Sequence, residues 1–336
     1  MVVEMVIQDN KISWILLILA FIVMAVGCSP TDAQRQTTRE WRISNGKVKV
    51  LSTIAMIDDL VKDIGGDFVD SITLIKGELD PHSYQLVKGD DEKLAFADII
   101  FYNGLGLEHG PSLQVFLKKQ NKAIPLGNRI MEENPSLLLY YKGQPDPHIW
   151  MEISIWAQTI THIVNALSIK DPLHAADYRK NGEKLAVAML KAHREARQQL
   201  QSIPASKRYL VTSHDAFNYF SRAYLAVDGE DSRSWRERFA APEGLAPESQ
   251  IAPTDIQAII DHLSRYNIHV IFPESNVNRD SIRKIVQAAK SKGLNVKIAE
   301  VVLYADAMGA PGSDSDTYIK MMQHNIKAIA DNINGK

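Results

Sequence analysis

Short apolar and β-branched runs alternate with stretches of helical spacing through residues 47–127. Met56 and the residues up to Ile64 have the apolar spacing of a helix, and Gly65 and Gly66 follow as its end. Alternation of strands and helices is typical of βαβ units, which place helices over a parallel sheet. The runs that predict strands here are residues 47–53, 71–77, 98–104 and 123–127.

A long amphipathic helix is predicted for residues 172–203. Its apolar positions recur at steps of three and four residues, as one face of a helix requires. These positions are Leu185, Met189, Ala192, Ala196 and Leu200. At a rise of about 1.5 Å per residue such a helix reaches about 45 Å, which is longer than a small domain needs internally. We interpret it as a rigid connector between two α/β segments and expect it to limit hinge closure.

The alternation of strands and helices resumes beyond this connector. Residues 229–248 interrupt it, because their content of charge, Pro and Gly predicts a surface excursion. We therefore expect an α/β protein with two lobes of mainly parallel sheet, residues 47–171 and 204–336. The predicted elements of the second lobe are strands at 208–213, 269–275 and 295–301 and helices at 255–266, 279–291 and 318–333.

Composition and charge exclude some classes of protein. The chain has 336 residues, of which 45% are hydrophobic and 23% charged, as in a soluble globular protein of two moderate domains. A formal net charge of −2 gives no basic face for nucleic acid, so we exclude nucleic-acid binding. Cys28 is the only cysteine, so the chain cannot form an intramolecular disulfide, and any metal ion must be held by nitrogen and oxygen atoms.

The N-terminal segment predicts export. Residues 12–27 form an unbroken apolar run, shorter than the roughly 20 residues that span a bilayer, and fit the core of a signal peptide. Cys28 completes the sequence AVGC, which resembles the lipobox of bacterial lipoproteins, where the cysteine is lipidated and becomes the mature N-terminus. We expect residues 1–28 to be this signal and residues 29–46 to be a polar tether. An uncleaved membrane anchor is the alternative.

The tripeptide Asp-Pro-His occurs twice, ending at His82 and at His148. Asp is a preferred N-cap and Pro is favoured at the first helical position, so each histidine is predicted to lie where a strand or loop passes into a helix. We interpret Asp80 and Asp146 as helix caps. Ligands of open α/β sheets bind at the carboxyl ends of strands, and His82 follows a predicted strand. Both histidines are therefore candidate metal ligands.

Two further candidates come from the second half. His214 follows the strand predicted at 208–213, and Asp306 lies between the last predicted strand and the last helix. Three imidazoles and one carboxylate form a donor set suited to Zn²⁺, Mn²⁺ or Fe. Taken alone, a residue of this kind is more often a hydrogen-bonded structural residue than a metal ligand. The other histidines are interpreted as surface or packing residues: His109, His162, His174, His193, His262, His269 and His324.

Several motifs resemble those of one protein family: LDPHSYQ, NGLGLE, DPHIWM, VTSHDAFNYFSRAY, FPES, and LYADAMG followed by DTYIKMMQHNI. From about residue 47 to residue 333 the chain resembles the metal-binding receptors of bacterial ABC importers for zinc, manganese or iron. It is most similar to the TroA type, including its chlamydial iron-linked relatives. The resemblance implies two lobes joined by a long helix, with the metal ion in the cleft between them. It also implies four ligands: His82, His148, His214 and Asp306.

The function implied by this resemblance is an exported receptor in the periplasm or at the cell surface. Such a receptor captures one Zn, Mn or Fe ion and delivers it to a membrane permease driven by an ATPase. We expect a monomer without enzymatic activity, held at the membrane by a lipid on Cys28. A metal-dependent hydrolase with a His₃ site and an open position for water is the rival hypothesis. A role in cell adhesion has no motif in its favour.

The identity of the metal stays open at this point. Manganese-specific members of the family typically have a carboxylate where this chain has His214. Zinc-specific members often carry a His-rich acidic loop, and residues 104–143 contain only His109. The intrinsic affinity order favours zinc over manganese or iron, but cellular supply and geometry can reverse it.

Overall fold

The computed structural model describes residues 40–246 and 251–334. The contacts of the chain divide it after Ser44, and all the elements given below belong to the unit Asn45–Lys336. The predicted signal peptide, the candidate lipidation residue Cys28 and the first part of the tether lie outside the described residues. Within the described part of the chain, none of the helices combines enough length with enough apolar character to cross a membrane.

A four-stranded parallel sheet forms the centre of the first lobe. Its strands are β1 (Val48–Ser52), β2 (Val69–Thr73), β3 (Ile99–Tyr102) and β4 (Ala123–Pro125). They lie in the order β2-β1-β3-β4. The predicted parallel sheet is thus confirmed, although β2 ends before the predicted limit at residue 77. The accompanying helices are α1 (Ala55–Gly65), α2 (Asp90–Phe96), α3 (Pro111–Lys118) and α4 (Leu126–Glu133).

A short antiparallel hairpin, which the sequence did not predict, leads into the second Asp-Pro-His tripeptide. It consists of β5 (Tyr140–Tyr141) and β6 (Gln144–Pro145). Two helices follow, α5 (Ile153–Trp156) and α6 (Thr159–Lys170).

The predicted connector is the helix α7 (Ala175–Gln201), which follows a 3₁₀ turn at Pro172–His174. Its predicted apolar face is buried, and Tyr178 and Gly182 extend that face. A Cβ atom at Gly182 would lie 2.7 Å from Val164 Cγ2 of α6, so only glycine lets the two helices approach this closely. α7 packs against α1 and α6 of the first half and against the last helix, α12 (Tyr318–Ile333). A single helix therefore supports both halves, as the sequence predicted.

The second lobe is built from short parallel strands. β7 (Leu210–Val211) pairs with β8 (Phe239–Ala240), and β9 (Val270–Ile271) pairs with β10 (Lys297–Ile298). The N–H of Phe272 donates to the carbonyl of Val211 and links the two pairs. The remaining helices are α8 (Asn218–Phe220), which continues as a π-helical turn at Ser221–Leu225, α9 (Ser232–Arg236), α10 (Pro253–Arg265) and α11 (Asp280–Ser291).

The interpretation of residues 229–248 as a surface excursion was wrong for part of that segment. It contains α9 and β8, and the side chains of Trp235 and Phe239 are buried. Two large apolar side chains in a polar segment are enough to anchor it, because burying them removes a large apolar area from water.

Candidate metal centre

The four candidate ligands form one buried cluster between the lobes. His82, His148 and His214 are at most 1% exposed and Asp306 is 4% exposed. One donor atom from each residue can be chosen so that all four lie within 4.8 Å of one another. Among the described residues, this is the one group of three or more His, Cys, Asp or Glu side chains whose geometry could hold a metal ion.

The distances inside the cluster agree with four donors around a single ion. His82 Nε2 lies 3.3 Å from His148 Nε2, and His214 Nε2 lies 3.2 Å from Asp306 Oδ2. Asp306 Oδ2 is also 3.7 Å from His82 Nε2, and Asp306 Oδ1 is 3.6 Å from His148 Nε2. A tetrahedron with metal–ligand bonds of about 2.0–2.1 Å has edges of about 3.3 Å, close to these values.

Asp306 turns both of its carboxylate oxygens toward imidazoles. Oδ2 accepts a hydrogen bond from the side-chain amide of Asn276 at 3.2 Å. Oδ1 is buried and accepts no hydrogen bond from any described residue. A buried carboxylate oxygen without a donor is costly in a folded protein, and a cation would satisfy it.

The first Asp-Pro-His loop holds His82 through its backbone. Asp80 Oδ1 accepts the N–H of His82 at 2.9 Å, and Asp80 Oδ2 accepts the hydroxyl of Ser83 at 2.5 Å. The predicted passage into a helix was wrong here, because residues 81–83 form a turn and α2 starts only at Asp90. Asp80 therefore closes a local side-chain turn and does not cap an α-helix.

The second Asp-Pro-His loop holds the ring of His148 as well as its backbone. Asp146 Oδ1 accepts the backbone N–H of His148 at 3.0 Å and lies 2.7 Å from His148 Nδ1. A carboxylate only accepts, so this contact places the ring proton on Nδ1 and leaves the lone pair of Nε2 facing the cluster. A 3₁₀ turn follows at Ile149–Met151, so the predicted helical passage is present in this shorter form. The prediction that Asp146 caps a helix was wrong, because the N-cap of this turn is His148 and no side chain caps it.

A buried glutamate organises the loop beside His148. Glu108 accepts the hydroxyl of Thr53 and the backbone N–H groups of Asn103 and Gly104, at 2.7, 2.8 and 3.0 Å. The side-chain amide of Asn103 then donates to the carbonyl of Pro147 at 3.0 Å. Glu108 and Asn103 belong to the NGLGLE motif, and sequence reasoning assigned neither of them a role.

Glu274 is the main functional side chain that sequence reasoning missed. Glu274 Oε1 accepts the backbone N–H groups of Ser213 and His214 at 2.8 and 2.9 Å, and Oε2 contacts His214 Nδ1. Glu274 follows β9 as His214 follows β7, so both stand at carboxyl ends of parallel strands. A carboxylate at such an edge, in the FPES motif, was the signal that could have found it.

The electrostatics of the cluster follow from burial and neighbouring charge. Burial lowers the pKa of His82 well below its usual range, in spite of the nearby Asp306 carboxylate. Burial acts in the same direction on His214, but the carboxylates of Glu274 and Asp306 outweigh it and raise its pKa. Burial would raise the pKa of Asp306, but His214 and the other two imidazoles lower it. Asp306 therefore stays ionised and can supply negative charge to a bound cation.

One further histidine lies beside the cluster. The ring of His109 is 5.6 Å from that of His82, between centroids, and its Nδ1 lies 3.1 Å from the carbonyl of Gly106. His109 is partly exposed and does not belong to the four-residue group.

Comparison with known proteins gives one consistent family. Residues 50–332 match the family described as ZnuA, zinc-uptake complex component A, periplasmic. The metal-binding protein YtgA of Chlamydia trachomatis is 38% identical over 320 residues, which cover 95% of this chain and 96% of YtgA. The manganese-binding lipoprotein MntA of Bacillus subtilis is 33% identical over 311 residues, which cover 90% of this chain and 93% of MntA.

Solved structures agree with these sequence matches. The crystal structure of Fe(III)-bound YtgA from Chlamydia trachomatis is similar with a TM-score of 0.81 and 40% identity, covering 86% of this chain and 99% of that chain. The periplasmic zinc-binding protein TroA from Treponema pallidum is similar with a TM-score of 0.78 and 30% identity, with the same coverage of 86% and 99%.

Proposed function

This chain belongs to the ZnuA family of periplasmic metal-uptake components, and from that premise we propose that it captures one transition-metal ion outside the cytoplasm and delivers it to an ABC permease. The observation that carries the proposal is the buried set of three imidazoles and one carboxylate that meets between the lobes. Such a set has the donor atoms and spacing for one divalent ion, and because the ligands come from both lobes they can be separated from one another when the protein docks on the permease.

His82, His148, His214 and Asp306 are the proposed ligands. Asp306 supplies the anion, and its two carboxylate oxygens face the imidazoles of His148 and His214. Each imidazole binds the ion through a deprotonated nitrogen atom, so His214 releases a proton when the ion binds. Asp146 and Glu274 fix the orientation of two of the three rings. Release to the permease is proposed to separate the first-lobe pair of histidines from the second-lobe pair of ligands.

The ion is proposed to be Zn²⁺, Mn²⁺ or Fe, at one ion per chain. The relatives are named for all three metals: Fe(III)-bound YtgA, manganese-binding MntA and zinc-binding TroA. Three nitrogen donors favour Zn²⁺ over Mn²⁺ in intrinsic affinity, so uptake of Mn²⁺ or Fe would depend on cellular supply.

Membrane attachment and domain limits complete the proposal. We propose that residues 1–28 direct export, that lipid on Cys28 anchors the protein, and that residues 29–46 are the tether. The lobes would then be residues 47–171 and 204–336, joined by residues 172–203. Mass spectrometry of the membrane-extracted chain tests this part, since acylation of Cys28 changes the mass of the N-terminal peptide.

The family consists of substrate-binding proteins and not of enzymes. The site is consistent with this, because a fourth protein ligand, Asp306, occupies the position that a zinc hydrolase keeps open for water.

The test is metal analysis of the full chain purified without added metal, followed by competition titration with Zn²⁺, Mn²⁺ and Fe. One ion per chain is expected. Spectra of the cobalt-substituted protein should report a ligand set without an exchangeable water. A chain that retains no metal and binds none of the three ions tightly would refute the proposal.

A further inference from the structure

We infer that Trp150 is a positioning residue that ties the two lobes together at the metal cluster. This inference rests on the proposed function, because the site whose geometry it sets is the proposed metal site. Trp150 lies two residues after His148 in the first lobe, and its indole reaches the segment that carries Asp306 in the second lobe.

The indole N–H provides the tie. Trp150 Nε1 donates to the carbonyl of Ala305 at 2.7 Å, and Ala305 directly precedes Asp306. The same indole stands edge-on to the ring of His148, with centroids 5.3 Å apart. Trp150 and Ala305 are both completely buried. One side chain thus contacts an imidazole of the first lobe and fixes the backbone next to the carboxylate of the second.

A second contact holds Trp150 from its backbone side. The hydroxyl of Tyr318 donates to the carbonyl of Trp150 at 2.6 Å. Tyr318 is the first residue of α12, and its own N–H donates to Asp59 Oδ2 of α1 at 2.8 Å. Trp150 is therefore hydrogen-bonded to the second half of the chain through both its side chain and its carbonyl.

A neighbouring tryptophan shows that burial alone does not explain this arrangement. Trp156 is also completely buried, and its ring lies 6.3 Å from that of Trp150. Trp156 Nε1 has no hydrogen-bond partner among the described residues. The two indoles are alike in residue type and in complete burial, and they differ in the hydrogen bond across the lobes.

The chemical consequence concerns the spacing of the donors. A metal ion bound by His148 and Asp306 needs both groups at a fixed separation, and the bond from Trp150 to Ala305 restricts that separation before the ion arrives. Groups that orient metal ligands typically change affinity by about 10–100-fold when they are removed. The indole N–H is expected to act near the lower end of that range.

The test compares Trp150→Phe with Trp156→Phe in the full chain. Both changes replace an indole by a smaller ring, and both should lower the melting temperature of the metal-free protein. Only Trp150→Phe is expected to weaken Zn²⁺ binding, by about tenfold, and to alter the visible spectrum of the Co²⁺-loaded protein. Trp156→Phe is expected to leave both unchanged.

Two outcomes would overturn the inference: an unchanged Zn²⁺ affinity for Trp150→Phe, or equal losses of affinity for both variants. If the wild-type protein itself bound no Zn²⁺, Mn²⁺ or Fe, the proposed function would fail, and this inference with it. The two failures are therefore distinguishable.

A measurement on the wild-type protein covers the case in which Trp150→Phe does not fold. Because coupling between two linked contacts is reciprocal, Zn²⁺ should strengthen the Trp150–Ala305 bond as the bond strengthens Zn²⁺ binding. Hydrogen exchange of the Trp150 indole N–H, followed by NMR, should slow when Zn²⁺ is added. An exchange rate that Zn²⁺ leaves unchanged would contradict the proposed positioning role of Trp150.

Discussion

The two Asp-Pro-His loops have the same three residues and hold their histidines differently. In both loops an Asp oxygen accepts the backbone N–H of the histidine, at 2.9 Å for His82 and 3.0 Å for His148. In the second loop the same oxygen of Asp146 also contacts the imidazole at 2.7 Å. In the first loop the other oxygen of Asp80 accepts the Ser83 hydroxyl instead.

Burial of the aspartate accompanies the difference. Asp146 is 1% exposed and its second oxygen accepts the side-chain amide of Asn218 in the second lobe at 3.0 Å. Asp80 is only partly buried and bonds within its own turn. The same tripeptide therefore gives the same turn in both places, and the surroundings decide whether the carboxylate also orients the ring.

The largest effect is expected from removing the Asp306 carboxylate, which the histidines of both loops face. Asp306→Ala deletes the only carboxylate among the proposed ligands. Removing a residue that only hydrogen-bonds to a ligand typically lowers metal affinity by roughly 10–100-fold, and we expect the loss of Zn²⁺ affinity here to be larger. The fold should persist, since the unpaired buried oxygen is removed as well. Competition titration and circular dichroism measure the two effects. Asp314→Ala, an exposed aspartate eight residues further on, is the control, and equal affinities for the two variants would contradict the assignment.

The next effect tests the comparison directly. Asp146→Asn and Asp80→Asn both keep an oxygen that can close the turn, because Asn is as good a cap as Asp. Only Asp146→Asn removes the negative charge beside an imidazole, so we expect about a tenfold loss of Zn²⁺ affinity for it and little change for Asp80→Asn. The same competition titration applies to both variants. Equal losses would mean that the two loops work in the same way.

A related effect extends the comparison to the third imidazole. Glu274→Gln leaves an amide oxygen for the N–H groups of Ser213 and His214 but removes the charge at His214 Nδ1. We expect a loss of Zn²⁺ affinity of about tenfold, similar to that for Asp146→Asn. Glu300→Gln, at an exposed glutamate, is the matched control. An unaltered Zn²⁺ affinity in Glu274→Gln would show that the charge of Glu274 is not needed to orient the His214 ring for metal binding.

The smallest expected effect concerns the overall shape. α7 packs on helices of both lobes, so metal capture should rearrange the loops more than it moves the lobes. Small-angle scattering with and without Zn²⁺ should give nearly the same radius of gyration. The Asp306→Ala variant controls for non-specific effects of the ion. A large compaction seen only in the wild-type protein would show that hinge closure dominates.

The candidate ligands could be predicted from the sequence because short local signals mark them: the repeated Asp-Pro-His tripeptide for His82 and His148, and a position after a predicted strand for His214 and Asp306. His82, His148, His214 and Asp306 were chosen in this way, and the structure brings all four together. The helical face of α7 was equally predictable, since a repeat of three and four residues is a local pattern. The helix predicted after His82 was wrong, because Asp-Pro also begins a simple turn.

The sequence by itself determined the contacts between near neighbours. An Asp two residues before a His can close a turn on it wherever the chain goes, and an apolar stripe buries one face of any helix. Only the tertiary structure decided which carboxylate orients which imidazole ring. It also brought Glu274 to His214, 60 positions apart in sequence, and Trp150 to Ala305, 155 positions apart. Such contacts depend on how whole lobes pack, and no short stretch of residues contains that information.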